Sequence, residues 1–470
     1  MPRFDDADFG VEAVPQLHVN EANAPTKPTG SVNNIEIPAT RNPVSDASAL
    51  MHHLSLSPSM KERRGSRNSI GTSLPIPRSP RPSRLSSTTK PRIDARSILA
   101  AQVQGMSTEK VAAVKNMAFA FDIDGVLAHG NEAIEEAKVA LKILNGDNEL
   151  GITFPYILLT NGGGKTEEAR CAQLTSVLGH EVPTAQFIQS HTPMQALAEY
   201  YDTVLVCGGE GFQAREAAEA YGFKNVVHPK DVLAWDPTIS PCRVFTDEDR
   251  AGARPRDFSQ IKFDAILCFA ETRDSMTDCQ IIADLLLSED GQLLTQAADP
   301  SNHIPIYFSQ GDLLCPTEHK GPPRLNLGAF RIAVEAQYKA LTGLDLERVV
   351  YGKPERATYV CADEVLRSWM QEIHNEKRLP QNIYMVGDNP QSDIIGGNLY
   401  GWNTCLVRTG VFQGPKGSND PHNPANFGVF DNVLEVVKAV ISKELGSDFK
   451  LSWNPNVNPV TQEDQFSAIE

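Results

Sequence analysis

No run of apolar residues in the 470-residue sequence reaches transmembrane length, so no bilayer-spanning helix is expected. Cysteine is scarce and scattered: the eight residues, at positions 171, 207, 242, 268, 279, 315, 361 and 405, form no C-x-x-C and no His/Cys pairing at zinc spacing. Several sit in apolar runs, which leaves reduced, buried thiols of an intracellular protein as the expectation. Positive charge is in deficit: 43 Lys and Arg stand against 59 Asp and Glu, a net charge of -16, which argues against non-specific nucleic-acid binding by the folded part. A nucleotide-binding P-loop is missing too, although the stretch "TNGGGKT" (160–166) ends like one. The pattern G-x-x-x-x-G-K-[ST] requires its first glycine at 159, where the chain has Leu159 at the end of an apolar run. What remains is a strand ending in Thr-Asn, then three glycines, then a helix start. A hydroxyl, backbone N–H groups and a helix N-terminus converge there, a place suited to an anion.

Residues 1–110 are rich in Ser, Pro, Asn and Arg without sustained apolar periodicity, and are expected to be a disordered arm. Its segment 61–96 is strongly basic, and Arg63-Arg64-Gly65-Ser66 and Ser79-Pro80 have the form of kinase sites. Kinases or phospho-binding proteins are the partners this suggests, an unregulated solvated tail being the alternative. An import presequence would be poor in acids from its start, whereas this chain opens with Asp5, Asp6, Asp8 and Glu12, which counts against one.

From Met117 short apolar runs alternate with helical patterns, the signature of an α/β fold with a parallel, Rossmann-like sheet. Strands are expected at "MAFAF" before Asp122, "PYILL" before Thr160, "RVVY" before Gly352, "IYMV" before Gly387 and "NTCLV" before Arg408, with helices over Thr166–Leu178 and Glu355–His374. The divisions read from the sequence are a core over 111–194, an inserted α/β layer over 195–320, a second core part over 321–445 and a flexible tail over 446–470. Within the insert, Gly209-Glu210-Gly211-Phe212-Gln213-Ala214 fits G-x-G-x-x-A. The next strand, however, ends in His228-Pro229-Lys230 with no acid for a ribose hydroxyl, so a structural turn into a helix is preferred to a dinucleotide site.

The polar residues that matter fall just after strands, at the carboxyl ends where open α/β sheets place their sites. Asp122 and Asp124 stand two apart, and on an extended strand they would share a face and repel, a conflict that a divalent cation resolves. Asp388 and Asp393 follow the fourth strand in "VGDNPQSD", and Lys353 follows the third in "YGKP". Four carboxylates, one lysine and one Thr-Asn turn are equipment for phosphoryl transfer: a carboxylate nucleophile, hard-oxygen ligands for Mg²⁺, an acid and cationic stabilisers.

"DIDGVL", "TNGGG", "YGKP" and "GDNPQSDI", in that order, resemble the four motifs of the haloacid dehalogenase (HAD) superfamily in its class IIA arrangement, which inserts a large α/β cap, of the C2 type, between the second and third motifs. "IPIYFSQGDLL", "LGAFRIAVEAQYKALTG" and "YGKPERATYVCADEVL" resemble the eukaryotic cat-eye-syndrome-critical-region-like subgroup, and the likeness covers about 115–443. The resemblance implies a Mg²⁺-dependent phosphatase working through an aspartyl-phosphate. It makes Asp122 the nucleophile and Asp124 the acid and base. Mg²⁺ would sit on the Asp122 carboxylate, the Asp124 backbone carbonyl and the Asp388 carboxylate. Thr160 and the Asn161 amide, with Gly162, would hold the phosphoryl oxygens, Lys353 would neutralise them, and Asp393 would orient the others. Lys165 and Thr166 would only start a helix.

The chain departs from the class at Ser392, where a Thr is common, and at Gln310-Gly311-Asp312, where relatives usually read Asn-Pro-Asp, which puts substrate contacts there in question. The stretch "AHGNEAIEEA" (128–137) also lacks the class's Pro-rich wording. A scaffold without catalysis, acting as a regulated binding module, is the alternative reading. Some relatives in the subgroup are joined to a phosphatidyltransferase, which suggests a glycerophospholipid-pathway phosphate and a mitochondrial setting, with the cytoplasm as the other compartment. The chain lacks the D-G-x-x-A-R signature of such transferases. A cap of this size favours a small phosphorylated substrate, and self-association through the cap is a further expectation.

Overall fold

The computed structural model describes residues 108–451, apart from 242, 316–321 and 323. Of the arm expected over 1–110, residues up to 107 lie outside the described residues, as does the tail beyond 451, while 108–110 already belong to a helix. A helix opens the described chain at Thr108–Lys115 and leads into the strand Met117–Phe121. That strand lies inside a six-stranded sheet, in the order Gly428–Phe430, Asn403–Val407, Asn382–Gly387, Met117–Phe121, Tyr156–Leu159, Phe187–Ile188. All of its pairings are parallel.

The sequence "MAFAF" shows why this strand is central. Its side chains alternate between two buried faces, large on one and small on the other. Phe119 and Phe121 stack at 5.3 Å and join Tyr384, Tyr156 and Val436 in one core. Ala118 and Ala120 leave room on the opposite face for Tyr359, Leu366 and Met370 of the long helix Arg356–His374. Each fully buried Phe contributes about 1.5–3 kcal/mol by leaving water. The helix after the second strand, Glu167–Leu178, begins where Thr166 accepts the Ala169 N–H on its side chain, and ends at Gly179 with φ +73°.

A second, five-stranded parallel sheet has the order Val349–Val350, Ile306–Phe308, Ala265–Cys268, Thr203–Cys207, Asn225–Val227 and its own buried core. Two expectations are corrected here. The strand read from "RVVY" belongs to this second sheet: Val349 and Val350 pair with Tyr307 and Phe308. The helix Leu327–Thr342 likewise buries Phe330, Val334 and Tyr338 in the second core. The inserted layer therefore runs to about 350 rather than 320, because a two-residue strand carries no pattern that names its sheet. The tail also begins later than expected. Phe449 is buried in the first core, edge-on to Phe154 at 6.2 Å, and the Lys450 N–H donates to Glu149. The glycine-rich run 208–211 turns into the helix Gln213–Ala220, as the structural reading of that stretch expected.

Candidate active site

Three strands of the first sheet end side by side. Asp122 follows Phe121, Thr160 and Asn161 follow Leu159, and Asp388 follows Gly387. Lys353 arrives separately, on the loop that returns from the second sheet after Val350. Its ammonium, only 1% exposed, lies 2.9 Å from Asp122 Oδ1 and 2.7 Å from Asp393 Oδ1. Asp393 sits in the wide turn Pro390–Ile394 and also accepts the Asn389 N–H at 3.0 Å. Asp388 accepts the Val411 N–H at 2.6 Å.

Oxygens of Asp122, Asp388 and Asp393, all buried, lie within 4.8 Å of one another. Burial pushes the Asp122 carboxyl up to about 7, with Lys353 opposing the shift and the Asp393 charge adding to it. Burial, then the Asp393 and Asp122 charges, hold Asp388 well above the carboxylate range. Burial alone would lower the Lys353 pKa, but Asp122 and Asp393 outweigh it and keep the amine charged. One ammonium among three buried carboxylates leaves the cluster short of positive charge. Its hard oxygen donors fit a divalent cation such as Mg²⁺.

This arrangement differs from the expected Asp122/Asp124 pair. The strand stops at Phe121, so two-residue alternation no longer places both on one face. The Asp124 side chain is partly exposed and its Oδ2 lies 3.7 Å from Arg170 Nη2. Burial raises the Asp124 pKa, and Arg170 opposes the shift.

The Thr-Asn turn divides its work. The Gly162 N–H donates to Thr160 Oγ1 at 2.9 Å, which leaves the Thr160 hydroxyl proton free to point at another acceptor and removes the Gly162 N–H from the expected phosphate donors. A Cβ on Gly162 would lie 3.3 Å from Thr160 Oγ1, a tight contact, and 3.7 Å from Asp124 Oδ2, an ordinary one. The Asn161 side chain is a bracket. It accepts the Lys353 N–H at 2.7 Å and donates to the Lys353 carbonyl at 3.0 Å and to Asp312 at 2.8 Å.

Asp388 is fenced by glycines. A Cβ at Gly125, where φ is +86°, would lie 2.5 Å from Asp388 Oδ2, and one at Gly410 would lie 1.9 Å from it. Gly410→Ala is therefore expected to expel the Asp388 carboxylate and cost roughly 10²-fold or more in kcat/KM, the scale of a 1 Å misplacement. Circular dichroism alongside the assay checks this: lost turnover in a folded variant is the expected pair of results.

Of these groups, Asp122, Asp124, Thr160, Asn161, Gly162 and Asp388 border a cavity of about 330 Å³. Several of its walls come from residues that no motif points to, Arg170 and, in the second layer, Glu271 and Arg273; Asp312, from the departing Gln310-Gly311-Asp312 stretch, and Gln213 border it as well. Lys165 also borders it, beyond the helix-starting role expected, while Thr166 does cap the helix. Glu271 and Arg273 pair at 3.0 Å just past the strand Ala265–Cys268. The strand-end rule that found Asp122 applies to them equally. Burial raises the Asp312 carboxyl to about 6, with Asn161 and Lys353 opposing the shift.

A family model described as haloacid dehalogenase-like hydrolase matches residues 119–224, and one described as HAD-hydrolase-like matches 350–436. The chain is 40% identical over 334 residues to a cardiolipin synthase (CMP-forming)/mitochondrial hydrolase fusion protein of Schizosaccharomyces pombe, covering 71% of this chain and 54% of that protein. It thus spans about half the length of that relative. It is 41% identical over 321 residues to a mitochondrial hydrolase of Saccharomyces cerevisiae, covering 64% of this chain and 89% of that one. Among solved structures, a 4-nitrophenylphosphatase of Thermotoga maritima superposes with a TM-score of 0.45 at 17% identity, covering 70% of this chain and 99% of that chain.

Proposed function

The chain belongs to the haloacid dehalogenase-like hydrolases, with the α/β layer of class IIA inserted between its second and third motifs, and from that premise we propose that it is a Mg²⁺-dependent phosphatase acting on a small phosphate monoester through an aspartyl-phosphate. The observation that carries this reading is the buried Lys353, ion-paired to Asp122 and Asp393 beside Asp388, with Asp122, Asp124 and Asp388 bordering one cavity.

In the first step an oxygen of Asp122 attacks phosphorus while the bond to the leaving oxygen breaks, and Asp124 gives that oxygen its proton. In the second step Asp124 takes a proton from water as the water attacks the acyl phosphate, which frees inorganic phosphate and restores the Asp122 carboxylate. Lys353, the Thr160 hydroxyl and the backbone N–H of Asn161 stabilise the charge on the transferring oxygens. Asp393 holds the Lys353 ammonium in place, and the Asn161 side chain holds the Lys353 backbone. Asp122, Asp388 and the Asp124 carbonyl are the groups that would hold Mg²⁺, which supplies neutralisation of the phosphoryl charge when bound.

A cavity of about 330 Å³ walled by Gln213, Glu271 and Arg273 suits a polar leaving group and is small for acyl chains. The name of the Schizosaccharomyces pombe relative supports a glycerophospholipid-pathway phosphate, and the names of both relatives support a mitochondrial setting. A panel of phosphate esters, assayed with Mg²⁺ and with excess EDTA, tests the reading. Phosphate release that stops in EDTA is expected. Equal turnover in EDTA would contradict the metal dependence, and no release from any ester would favour a binding module.

A further inference from the structure

The last two glycines of "TNGGG" meet the inserted layer. A Cβ on Gly163 would lie 2.7 Å from Ser190 Oγ, 2.8 Å from His191 Cδ2 and 2.9 Å from the Phe269 carbonyl oxygen. One on Gly164, where φ is +93°, would lie 2.9 Å from Ala270 Cβ. Phe269 and Ala270 directly follow the second sheet's strand Ala265–Cys268, so that layer rests on the phosphate-holding turn itself.

The hydrogen bonds along this seam have a direction that follows from chemistry. The Gly164 N–H can only donate, so His191 Nε2, 2.9 Å away, is the unprotonated nitrogen. A neutral imidazole then carries its proton on Nδ1 and donates it to Tyr221 Oη at 2.7 Å. Tyr221 in turn donates to the Glu167 carboxylate, which also accepts from Thr192 Oγ1 at 2.7 Å. Burial alone lowers the His191 pKa to about 3, so the neutral form persists. The imidazole stacks on the Phe269 ring with centroids 4.6 Å apart and planes 7° from parallel. Its neighbour Ser190 donates its N–H to the Gly162 carbonyl at 3.1 Å, and its hydroxyl to Ser309 Oγ, also at 3.1 Å. Ser309 passes its own proton to the Phe269 carbonyl at 2.8 Å.

Tyr221, Phe269 and Ser309 belong to the inserted layer, and Gly162, Gly164 and Glu167 to the core. We propose that His191 is a positioning residue that transmits the seating of the inserted layer to the phosphate-holding turn, fixing the backbone at Gly164, and with Ser190 at Gly162, when Tyr221 and Phe269 are docked on it. It touches neither substrate nor reacting atoms. Its effect reaches the chemistry through the turn that carries Thr160 and Asn161, whose donors must match charge as it develops on the transferring phosphoryl group. The proposal rests on the phosphatase reading for its consequence, but the seam is a property of the fold.

Two variants test it. His191→Phe keeps a ring to stack on Phe269 and removes both nitrogens, and Tyr221→Phe removes one oxygen. Each is expected to lower kcat by roughly 10- to 100-fold, as a sub-ångström to 1 Å displacement of the donors does. KM should change by less than about threefold, the mark of an interaction used in the transition state. Vanadate, which adopts the five-coordinate geometry of the transition state, should bind more weakly by the same factor as kcat, while inorganic phosphate binding, read by calorimetry, stays close to wild type. His191→Gln, which can return an acceptor to the Gly164 N–H, should recover part of the loss. Should His191→Phe not fold, Tyr221→Phe decides alone. Unchanged kcat in a folded variant, or phosphate and vanadate affinities falling together, would overturn the proposal. A wild type that turns over no ester but binds vanadate in a way these variants weaken would sink the phosphatase reading and keep the coupling. A wild type that binds no vanadate would overturn both.

Discussion

Asp122→Asn should lose at least roughly 10⁴-fold in kcat without losing stability, because the substitution removes the attacking oxygen and little else. Asp122 is buried with its carboxyl raised to about 7, so the folded protein holds that charge at a cost that a neutral amide does not carry. Lys353 keeps Asp393 as a partner at 2.7 Å. The thermal midpoint of Asp122→Asn is therefore expected to match or exceed that of the wild type, which separates lost chemistry from lost folding. Asp124→Asn should behave differently. It keeps the nucleophile and removes proton transfer, for a loss of about 10²- to 10⁴-fold. That loss should depend on the leaving group, smallest for a nitrophenyl ester, whose anion departs with little protonation, and largest for an alkyl ester. Equal losses for both variants on every ester would contradict the division of roles.

Lys353→Met should be the most destabilising single change in the site. The side chain is 1% exposed and holds two buried carboxylates, so removing its charge strands both of them. Breaking a buried ion pair from one side costs about 3–5 kcal/mol. Urea denaturation in EDTA should show a loss of that size, and added Mg²⁺ should restore part of it by supplying positive charge to the same oxygens. The loop itself should stay in place, since Asn161 grips the Lys353 backbone at both its N–H and its carbonyl. Arginine should not rescue the variant, because a planar guanidinium does not fit a space shaped for an ammonium between two carboxylates. A Lys353→Met protein as stable as wild type in EDTA would show that the carboxylates are not charged together in the fold.

What the sequence revealed of this fold and site follows the range of the interactions involved. Alternation in "MAFAF", the strand-end positions of Asp122, Thr160 and Asp388, and the capping of Glu167–Leu178 by Thr166 are local, and each was readable. The sheet that Val349 and Val350 join is not local: their partners are Tyr307 and Phe308, across the helix Leu327–Thr342. The same holds for Asn161, whose side-chain partners are Lys353 and Asp312. A Thr-Asn turn reads as a phosphate donor because its neighbours in the chain are glycines. That its amide grips a loop on the far side of the inserted layer is a fact of tertiary packing. Arg170 and Arg273 were passed over for a different reason. Charged residues near helix starts and strand ends are common, and only the closure of the second layer over the first makes these two walls of one cavity.

Trapping the phosphorylated protein is the most direct test of this chemistry. Wild-type protein turning over a small phosphate ester with Mg²⁺ is quenched in acid, digested and read by mass spectrometry. One phosphoryl group on the peptide carrying Asp122, absent from Asp122→Asn and accumulating in Asp124→Asn, is the expected result. Sustained turnover with no acid-trapped phosphate, or with the phosphate on Asp124 or on another residue, would contradict the assignment of Asp122 as the nucleophile.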